Sequence, residues 1–153
     1  MEDLKIISYH QKFHKQFKQI NLHWLKKFEL YEDADNALLD FPEGYIQNGA
    51  TIFLAQINAF IVGTICVNPI NNDTYEILKL AVIDDYKGFG IGNKLLKKGI
   101  DLCKHKNAET ILLESSSKLR NALKLYEKFG FKHIEIKETY FITADVKMEL
   151  KLK

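Results

Sequence analysis

The feature that most constrains the fold is a strand-like run that ends in three glycines at alternate positions. Residues 74–82 are rich in apolar side chains, Asp84 and Asp85 form a polar corner, and residues 88, 90 and 92 are glycines just where a helical pattern begins. Glycine lets the backbone approach a ligand closely, and the first turn of a helix leaves N–H groups free at the positive end of its dipole. The sequence therefore predicts a strand, a glycine turn and a helix N-terminus suited to a phosphate.

Two other phosphate-binding loops do not fit this spacing. The dinucleotide fingerprint requires a further glycine where the chain has Asn93, and the P-loop requires Gly-Lys-Ser/Thr where the chain has Asn93-Lys94-Leu95. A glycine-rich turn that serves packing alone remains an alternative for so short a motif.

Composition narrows the class of protein. With 153 residues, 46% of them hydrophobic and 27% charged, we expect one globular domain spanning residues 1–153. Lysine and arginine total 22 against 20 acidic residues, and Arg120 is the one arginine, which disfavours a nucleic-acid partner. No segment has the length and apolarity of a membrane span, and residues 1–9 lack an apolar signal core, so we expect a cytoplasmic protein without a membrane partner.

Metal binding and thiol chemistry are not expected. Cys66 and Cys103 lack metal or redox spacing and fit buried small side chains better than nucleophiles. His10 and His14 are the only histidine pair at ligand spacing, and no carboxylate lies nearby in the sequence. We therefore predict no metal site.

Hydrophobic periodicity predicts a mixed α/β chain. The predicted elements are a strand at 4–8, a helix at about 10–28, a helix start at 32–36, strands at 51–57, 60–67 and 74–82, a helix from 91, a strand at 110–114, a helix at about 119–130, and strands at about 132–137 and 143–152. The strands before the glycine turn are expected to pair antiparallel, with Asn58-Ala59 as a hairpin turn. The strand, helix and strand around the turn form a right-handed parallel unit.

The acidic segment at residues 32–36 has two interpretations. Acidic residues favour helix N-termini, so capping is the simpler one. The functional alternative is an acidic rim that attracts a cationic amine.

A second motif lies at residues 119–131. Leu119, Ala122, Leu123, Tyr126 and Phe129 share one helical face, and glycine then phenylalanine end the helix.

Together the two motifs resemble the GNAT superfamily of N-acetyltransferases. Residues 87–92 (Lys-Gly-Phe-Gly-Ile-Gly) resemble its Gln/Arg-x-x-Gly-x-Gly/Ala signature, with Lys87 where Gln or Arg is usual, and residues 121–131 resemble its Asn-x-x-Ala-x-x-Leu-Tyr-x-x-x-Gly-Phe pattern in a compact form. The resemblance covers nearly the whole chain. It implies a mostly antiparallel sheet with a central parallel βαβ unit, flanked by helices, and acetyl-CoA as co-substrate.

The resemblance also implies which residues hold the coenzyme. The pantetheine arm is expected to add to strand four, and the glycine loop to hold the pyrophosphate. The expected coenzyme-binding residues are Leu80, Ala81, Val82, Lys87, Gly88, Phe89, Gly90, Ile91, Gly92, Asn93, Asn121, Tyr126 and Lys128. For Asn121, capping of the second helix is the structural alternative.

Acetyl transfer from a thioester to an amine requires a neutral amine, stabilisation of the developing oxyanion and a proton for the thiolate. Tyr126 matches the family's acid, and a phenol with a pKa near ~10 can protonate a thiol leaving group of ~8.5. Glu76 on strand four is the candidate base, and Glu114 or solvent are alternatives. Strand alternation places Glu76, Leu78 and Leu80 on one face, unless a bulge intervenes.

Two classes of function follow. The first is an N-acetyltransferase that acts on a primary amine of a small molecule or a peptide; the second is a non-catalytic acyl-CoA-binding sensor that keeps the coenzyme site. A dinucleotide-binding protein is a distant third. The acceptor and the oligomeric state stay open, although homodimers are frequent among similar proteins.

Overall fold

A seven-stranded mixed sheet forms the centre of the protein in the computed structural model, which describes residues 3–153. Met1 and Glu2, which begin the segment tested above for a signal core, lie outside the described residues. The strands are β1 (Leu4–Ser8), β2 (Thr51–Ile57), β3 (Phe60–Pro69), β4 (Thr74–Val82), β5 (Thr110–Ser115), β6 (Lys132–His133) and β7 (Val146–Lys151). The helices are α1 (His14–Lys27), α2 (Asn36–Asp40), α3 (Pro42–Gln47), α4 (Ile91–His105) and α5 (Arg120–Lys128). The strand order is β1-β2-β3-β4-β5-β7-β6.

Helices cover both faces of the sheet, and each face has its own apolar core. On one face α4 buries Ile91, Leu95, Leu96 and Ile100 together with residues of α5. On the other face α1 buries Phe17 and Leu25 alongside residues that precede and form α2. The 3.6-residue spacing of these side chains explains why each helix presents one apolar stripe to the sheet.

The sheet is antiparallel except for β4 and β5, as predicted. These two strands pair in parallel only over Thr74–Glu76 and Thr110–Leu112. Beyond Glu76 they separate, so the edge of β4 that faces β5 has no partner strand along residues 77–82. The split opens the sheet next to the glycine turn.

A β-bulge at Lys79 changes which face the end of β4 presents. Cys66 pairs with Leu78 and Thr64 pairs with Ala81, so two residues of β4 oppose one of β3. Lys79 takes a left-handed backbone conformation with φ of 52°. As a result Leu78 packs on the α1 face while Leu80 packs on the α4 face. The expectation from simple alternation, which kept Leu80 with Leu78, does not hold.

The C-terminal strands are shorter than predicted. The strand expected at 132–137 is limited to Lys132–His133, and the strand expected at 143–152 is β7, Val146–Lys151. Residues 134–145 form an irregular connection, which is longer at both ends than predicted. Within it, the backbone N–H groups of residues 140–143 bond to carboxylates rather than to a neighbouring strand. Within residues 3–153, no helix is both long enough and apolar enough to cross a bilayer.

Candidate functional site

The split between β4 and β5 holds a cavity of about 420 Å³ that passes from one face of the sheet to the other. One half is lined by residues of the α4-side core, among them Leu80, Val82, Ala122 and Tyr126. We call this the coenzyme half, after the residues predicted for that role. The other half, which we call the acceptor half, is lined by Trp24, Leu25, Phe28, Leu30, Leu78 and Phe141 and by the charged pair Asp35 and Lys79.

The structure places the predicted coenzyme residues in two groups. Leu80, Ala81, Val82, Lys87, Asn121 and Tyr126 line the cavity. Gly88, Phe89, Gly90, Ile91, Gly92, Asn93 and Lys128 lie outside its wall, in the loop and helix that follow Lys87 and at the end of α5.

The glycine loop presents free backbone donors. Gly88 and Gly90 have φ of 84° and 80°, a region that side-chain-bearing residues rarely adopt, and Gly90 is the N-cap of α4. Among the residues that the structure describes, none accepts a hydrogen bond from the backbone N–H groups of residues 88–93. Lys128 Nζ lies 3.2 Å from Asn93 Oδ1 and adds positive charge at the helix start. The arrangement fits a diphosphate, which requires N–H donors and nearby cations.

Gly92 contributes through packing. A Cβ atom built there would lie 3.4 Å from Leu125 Cδ2 and 3.8 Å from Val82 Cγ2. The absence of a side chain therefore allows α4 to approach α5 and the end of β4 closely.

Lys87 connects the glycine loop to α1 through Asp84. Its Nζ lies 2.9 Å from Asp84 Oδ1, while His23 and Lys27 of α1 lie 3.2 and 3.4 Å from Asp84 Oδ2. Hydrogen bonds from Lys87 and His23 hold the pKa of Asp84 far below its usual range. Two lysines and a histidine thus converge on one carboxylate beside the loop.

Tyr126 lies on the buried face of α5 and lines the coenzyme half. Its ring packs against Phe131 with 5.7 Å between centroids, and its side chain is 7% exposed. No hydrogen bond of its hydroxyl to any of residues 3–153 is present, so the O–H group is available to a ligand in the cavity. Burial raises the pKa of Tyr126, which keeps the phenol protonated near neutral pH.

Asn121 does not cap the second helix, so that interpretation is wrong. Leu119 is the N-cap of α5, without a side-chain hydrogen bond, and Asn121 is the second residue inside the helix. The side chain is therefore not needed to satisfy the helix start, and the residue lines the cavity instead.

The two candidate bases lie in different environments. Glu76 is on β4 before the bulge, outside the cavity wall, and accepts a hydrogen bond from Asn68 Nδ2 at 2.8 Å. Burial raises the pKa of Glu76, with the Asn68 bond acting in the opposite direction. Glu114 lines the cavity, but its two oxygens accept the N–H groups of Tyr140 and Phe141 at 2.8 and 3.0 Å.

A buried ion pair at the bulge was not predicted from the sequence. Lys79 Nζ lies 2.6 Å from Asp35 Oδ1, with side chains 5% and 2% exposed, and 4.5 Å from the centroid of the Phe141 ring. Asp35 Oδ2 also accepts the N–H of Glu32 at 2.9 Å, so the capping interpretation of the acidic segment is confirmed for this residue. The only signal in the sequence was one lysine inside an apolar strand.

Polar side chains from α1 and β3 hold the bulge. Thr64 Oγ1 donates to the carbonyl oxygen of Lys79 at 2.7 Å, and Asn21 Nδ2 donates to Thr64 Oγ1 at 3.2 Å. Trp24 Nε1 in turn donates to Asn21 Oδ1 at 2.9 Å. Asn21 and Thr64 are fully buried, so this network fixes the bulge and the position of Trp24 in the cavity wall.

Two carboxylates hold the segment that covers the acceptor half. We call residues 139–143 the strap. Glu114 binds the N–H groups of Tyr140 and Phe141, and Glu32 binds those of Ile142 and Thr143, both at 2.9 Å. Partial burial alone would raise the pKa of Glu32, but the bonds from Thr143 outweigh it and lower the pKa overall.

Neither cysteine is suited to act as a nucleophile. Burial raises the pKa of Cys66, and it raises the pKa of Cys103 to about 12. Both thiols are therefore protonated near neutral pH. Over residues 3–153, no cluster of three or more histidine, cysteine or acidic side chains could hold a metal ion.

Comparison with known proteins identifies relatives over most of the chain. Residues 17–131 match the acetyltransferase (GNAT) family. The ribosomal protein bS18 alanine N-acetyltransferase of Haemophilus influenzae is 33% identical over 118 residues, which cover 73% of this chain and 79% of that protein. Several other curated relatives are longer, and the matched segments span 45 to 62% of three that are 30 to 32% identical.

Solved structures agree in fold. An acetyltransferase of the GNAT family from Staphylococcus aureus is 27% identical, with a TM-score of 0.91 over 98% of this chain and 99% of that one. A GNAT family acetyltransferase from Elizabethkingia anophelis, solved with acetyl-CoA bound, is 20% identical, with a TM-score of 0.69 over 99% and 100% of the two chains. The family match and the fold together show that this chain belongs to the GNAT family of acetyltransferases.

Proposed function

We propose that the protein transfers the acetyl group of acetyl-CoA to a primary amine by direct attack. The observation that carries this proposal is the cavity through the split sheet, which has Tyr126 and Lys87 in its wall. The free N–H groups of residues 88–93 follow directly after Lys87. A thioester and an amine can meet in such a cavity from opposite faces of the sheet. Relatives named N-acetyltransferases and a structural neighbour with acetyl-CoA bound support the same reaction.

The coenzyme is proposed to occupy the coenzyme half. Its diphosphate binds the N–H groups of residues 88–93 together with Lys87 and Lys128. Its pantetheine arm lies along residues 80–82, where β4 has no partner strand and can form backbone hydrogen bonds. Asn121 contacts the arm from α5. With Tyr126, which faces the thioester sulfur in this proposal, these assignments include all of the coenzyme residues predicted from the sequence.

The reaction is proposed to form the C–N bond and break the C–S bond, while one proton leaves the nitrogen and one is added to the sulfur. The amine nitrogen attacks the thioester carbonyl, a backbone N–H at the end of β4 stabilises the oxyanion, and the C–S bond then breaks. Tyr126 donates its phenolic hydrogen to the departing sulfur. Solvent then returns a proton to Tyr126 and takes one from the base. Because burial keeps this phenol protonated, it acts first as a hydrogen-bond donor to the developing thiolate.

The amine loses its proton to Glu76 in this scheme. A raised pKa brings the carboxylate closer to the range in which a base works near neutral pH. Glu76 does not line the cavity, so the transfer would pass through water. Glu114 is less suited to this role, because both of its oxygens already hold the strap.

Thiol release from acetyl-CoA in the presence of a panel of amines tests the proposal. Tyr126→Phe is expected to lower kcat by about 100-fold or more while the coenzyme dissociation constant stays within about twofold. The matched control is Tyr75→Phe, a tyrosine of β4 that does not line the cavity, which should retain the wild-type rate. Coenzyme binding without turnover of any amine would favour the alternative of an acyl-CoA sensor, and an unchanged rate in Tyr126→Phe would remove Tyr126 from the mechanism.

A further inference from the structure

The acceptor half of the cavity has an apolar wall. Five of its side chains belong to or pack against the core on the α1 face, namely Trp24, Leu25, Phe28, Leu30 and Leu78. Phe141 of the strap adds an aromatic ring to this wall. An acceptor in this half would exchange water for hydrocarbon and aromatic surface, which favours an apolar or aromatic body.

The carboxylates of the cavity wall already accept hydrogen bonds on both oxygens. Lys79 pairs with Asp35, and the second oxygen of Asp35 accepts the N–H of Glu32. Glu114, the other carboxylate in the cavity wall, accepts one backbone N–H on each oxygen. Lys79, Lys87, Lys118 and Arg120 in the cavity wall also outnumber the two wall carboxylates. A second ammonium group on the acceptor would therefore be buried beside a wall with a net positive charge.

The same surroundings favour the reactive form of a single amine. An apolar environment disfavours the ammonium ion relative to the neutral amine, and only the neutral amine can attack the thioester. A monoamine loses its charge on entering this half, whereas a diamine or polyamine must bring a charge along or deprotonate twice.

From these contacts we propose that the acceptor is a monoamine with an apolar or aromatic body, and that polyamines are excluded. This inference rests on the proposed acetyl transfer and narrows its substrate class. The amine is either that of a free small molecule or the N-terminal amine of a peptide whose first side chain is apolar, since both offer the same chemistry to the acceptor half.

A panel of matched acceptors tests the substrate class. Thiol release with acetyl-CoA is measured for hexylamine, 1,6-diaminohexane, spermidine, 2-phenylethylamine and a dipeptide amide that begins with phenylalanine. Hexylamine should exceed 1,6-diaminohexane in kcat/KM by about 100-fold, since the two differ only in the second ammonium group. A preference for 2-phenylethylamine over the dipeptide would indicate a free amine, and the reverse preference a peptide N-terminus.

A substitution in the wall provides an independent readout. Phe141→Leu keeps the backbone hydrogen bonds of the strap but removes the ring, so the ratio of kcat/KM for 2-phenylethylamine to that for hexylamine should fall about threefold to tenfold. Ile142→Ala is the control, because the Ile142 side chain on the same strap is 91% exposed. Comparing two substrates within one variant separates a change in specificity from a loss of folded protein.

The outcomes are distinct. Turnover of spermidine or 1,6-diaminohexane at or above that of hexylamine would overturn the proposed class while leaving acetyl transfer intact. An unchanged substrate ratio in Phe141→Leu would overturn the role of the aromatic wall. If acetyl-CoA binds but no amine of the panel, monoamine or polyamine, causes thiol release, both acetyl transfer and the proposed substrate class are refuted.

Discussion

Removing the charge of Lys79 should destabilise the protein far more than removing a surface lysine. Lys79 and Asp35 form a 2.6 Å ion pair with both side chains at least nine-tenths buried. Lys79→Met leaves the Asp35 carboxylate with the N–H of Glu32 as its remaining partner in a low-dielectric site. Breaking a buried pair on one side costs about 3–5 kcal/mol of the free energy of unfolding.

This cost converts to a measurable change in melting temperature. For a chain of this length 1 kcal/mol corresponds to about 2–4 °C, so Lys79→Met should lower Tm by about 6–20 °C in differential scanning calorimetry. Replacing both partners, as in Lys79→Met with Asp35→Leu, removes the uncompensated charge and should recover much of the loss. The control is Lys97→Met on α4, whose pair with Asp101 is 2.7 Å long but has side chains 69% and 50% exposed. That pair is worth about 0.3–0.5 kcal/mol.

Two results would refute this reasoning. A loss in Lys79→Met no larger than that in Lys97→Met would mean that the pair is not buried as described. A double variant less stable than the single one would mean that Asp35 is needed for contacts other than its bond to Lys79.

The two carboxylates considered as bases give further predictions. Glu114→Gln leaves the N–H group of either Tyr140 or Phe141 without a partner. The acceptor KM should therefore rise about tenfold, while the pH profile of kcat stays as in wild type. If the variant instead loses the fall of kcat at low pH, Glu114 is the base. For Glu76, burial raises the pKa above its ordinary 4.5, so the folded protein binds this proton more tightly than the unfolded chain does. Wild type therefore loses stability as pH rises from 4.5 through the pKa of Glu76 in the folded protein. The Tm of Glu76→Gln minus that of wild type should therefore increase as pH rises above 4.5, and a pH-independent difference would contradict the raised pKa of Glu76. In the same variant, kcat should no longer fall at low pH. A pH profile of kcat equal to that of wild type would exclude Glu76 as the base.

The order of elements and the glycine turn before α4 could be predicted because their signals are local. The spacing of Leu95, Leu96 and Ile100 defines the buried stripe of α4, and the three glycines mark the turn before it. The mixed sheet, with a parallel pair between β4 and β5, follows from the strand, helix and strand order alone. The order of elements alone does not bring residues 80–82 and Tyr126 together, and only the resemblance to the GNAT family implied that they share one site, where the structure has them line one cavity.

The acceptor half could not be predicted, because it depends on contacts between distant segments. The bulge at Lys79 requires Thr64 and Asn21, which lie on β3 and α1. The backbone N–H groups of the strap bond to Glu32 and Glu114, which come from a distant loop and from β5. A hydrophobic pattern reports which residues are buried, and it does not report that a carboxylate 110 positions away binds a loop.

The central claim is that the free N–H groups after Lys87 bind the diphosphate of acetyl-CoA and so place the thioester beside Tyr126. Isothermal titration calorimetry with acetyl-CoA and with S-acetylpantetheine, which lacks the diphosphate and the nucleotide, tests it directly. We predict binding of acetyl-CoA with a Kd of about micromolar and binding of S-acetylpantetheine weaker by about 100-fold or more. No heat with millimolar acetyl-CoA on folded protein, or equal affinity for the two ligands, would contradict the claim.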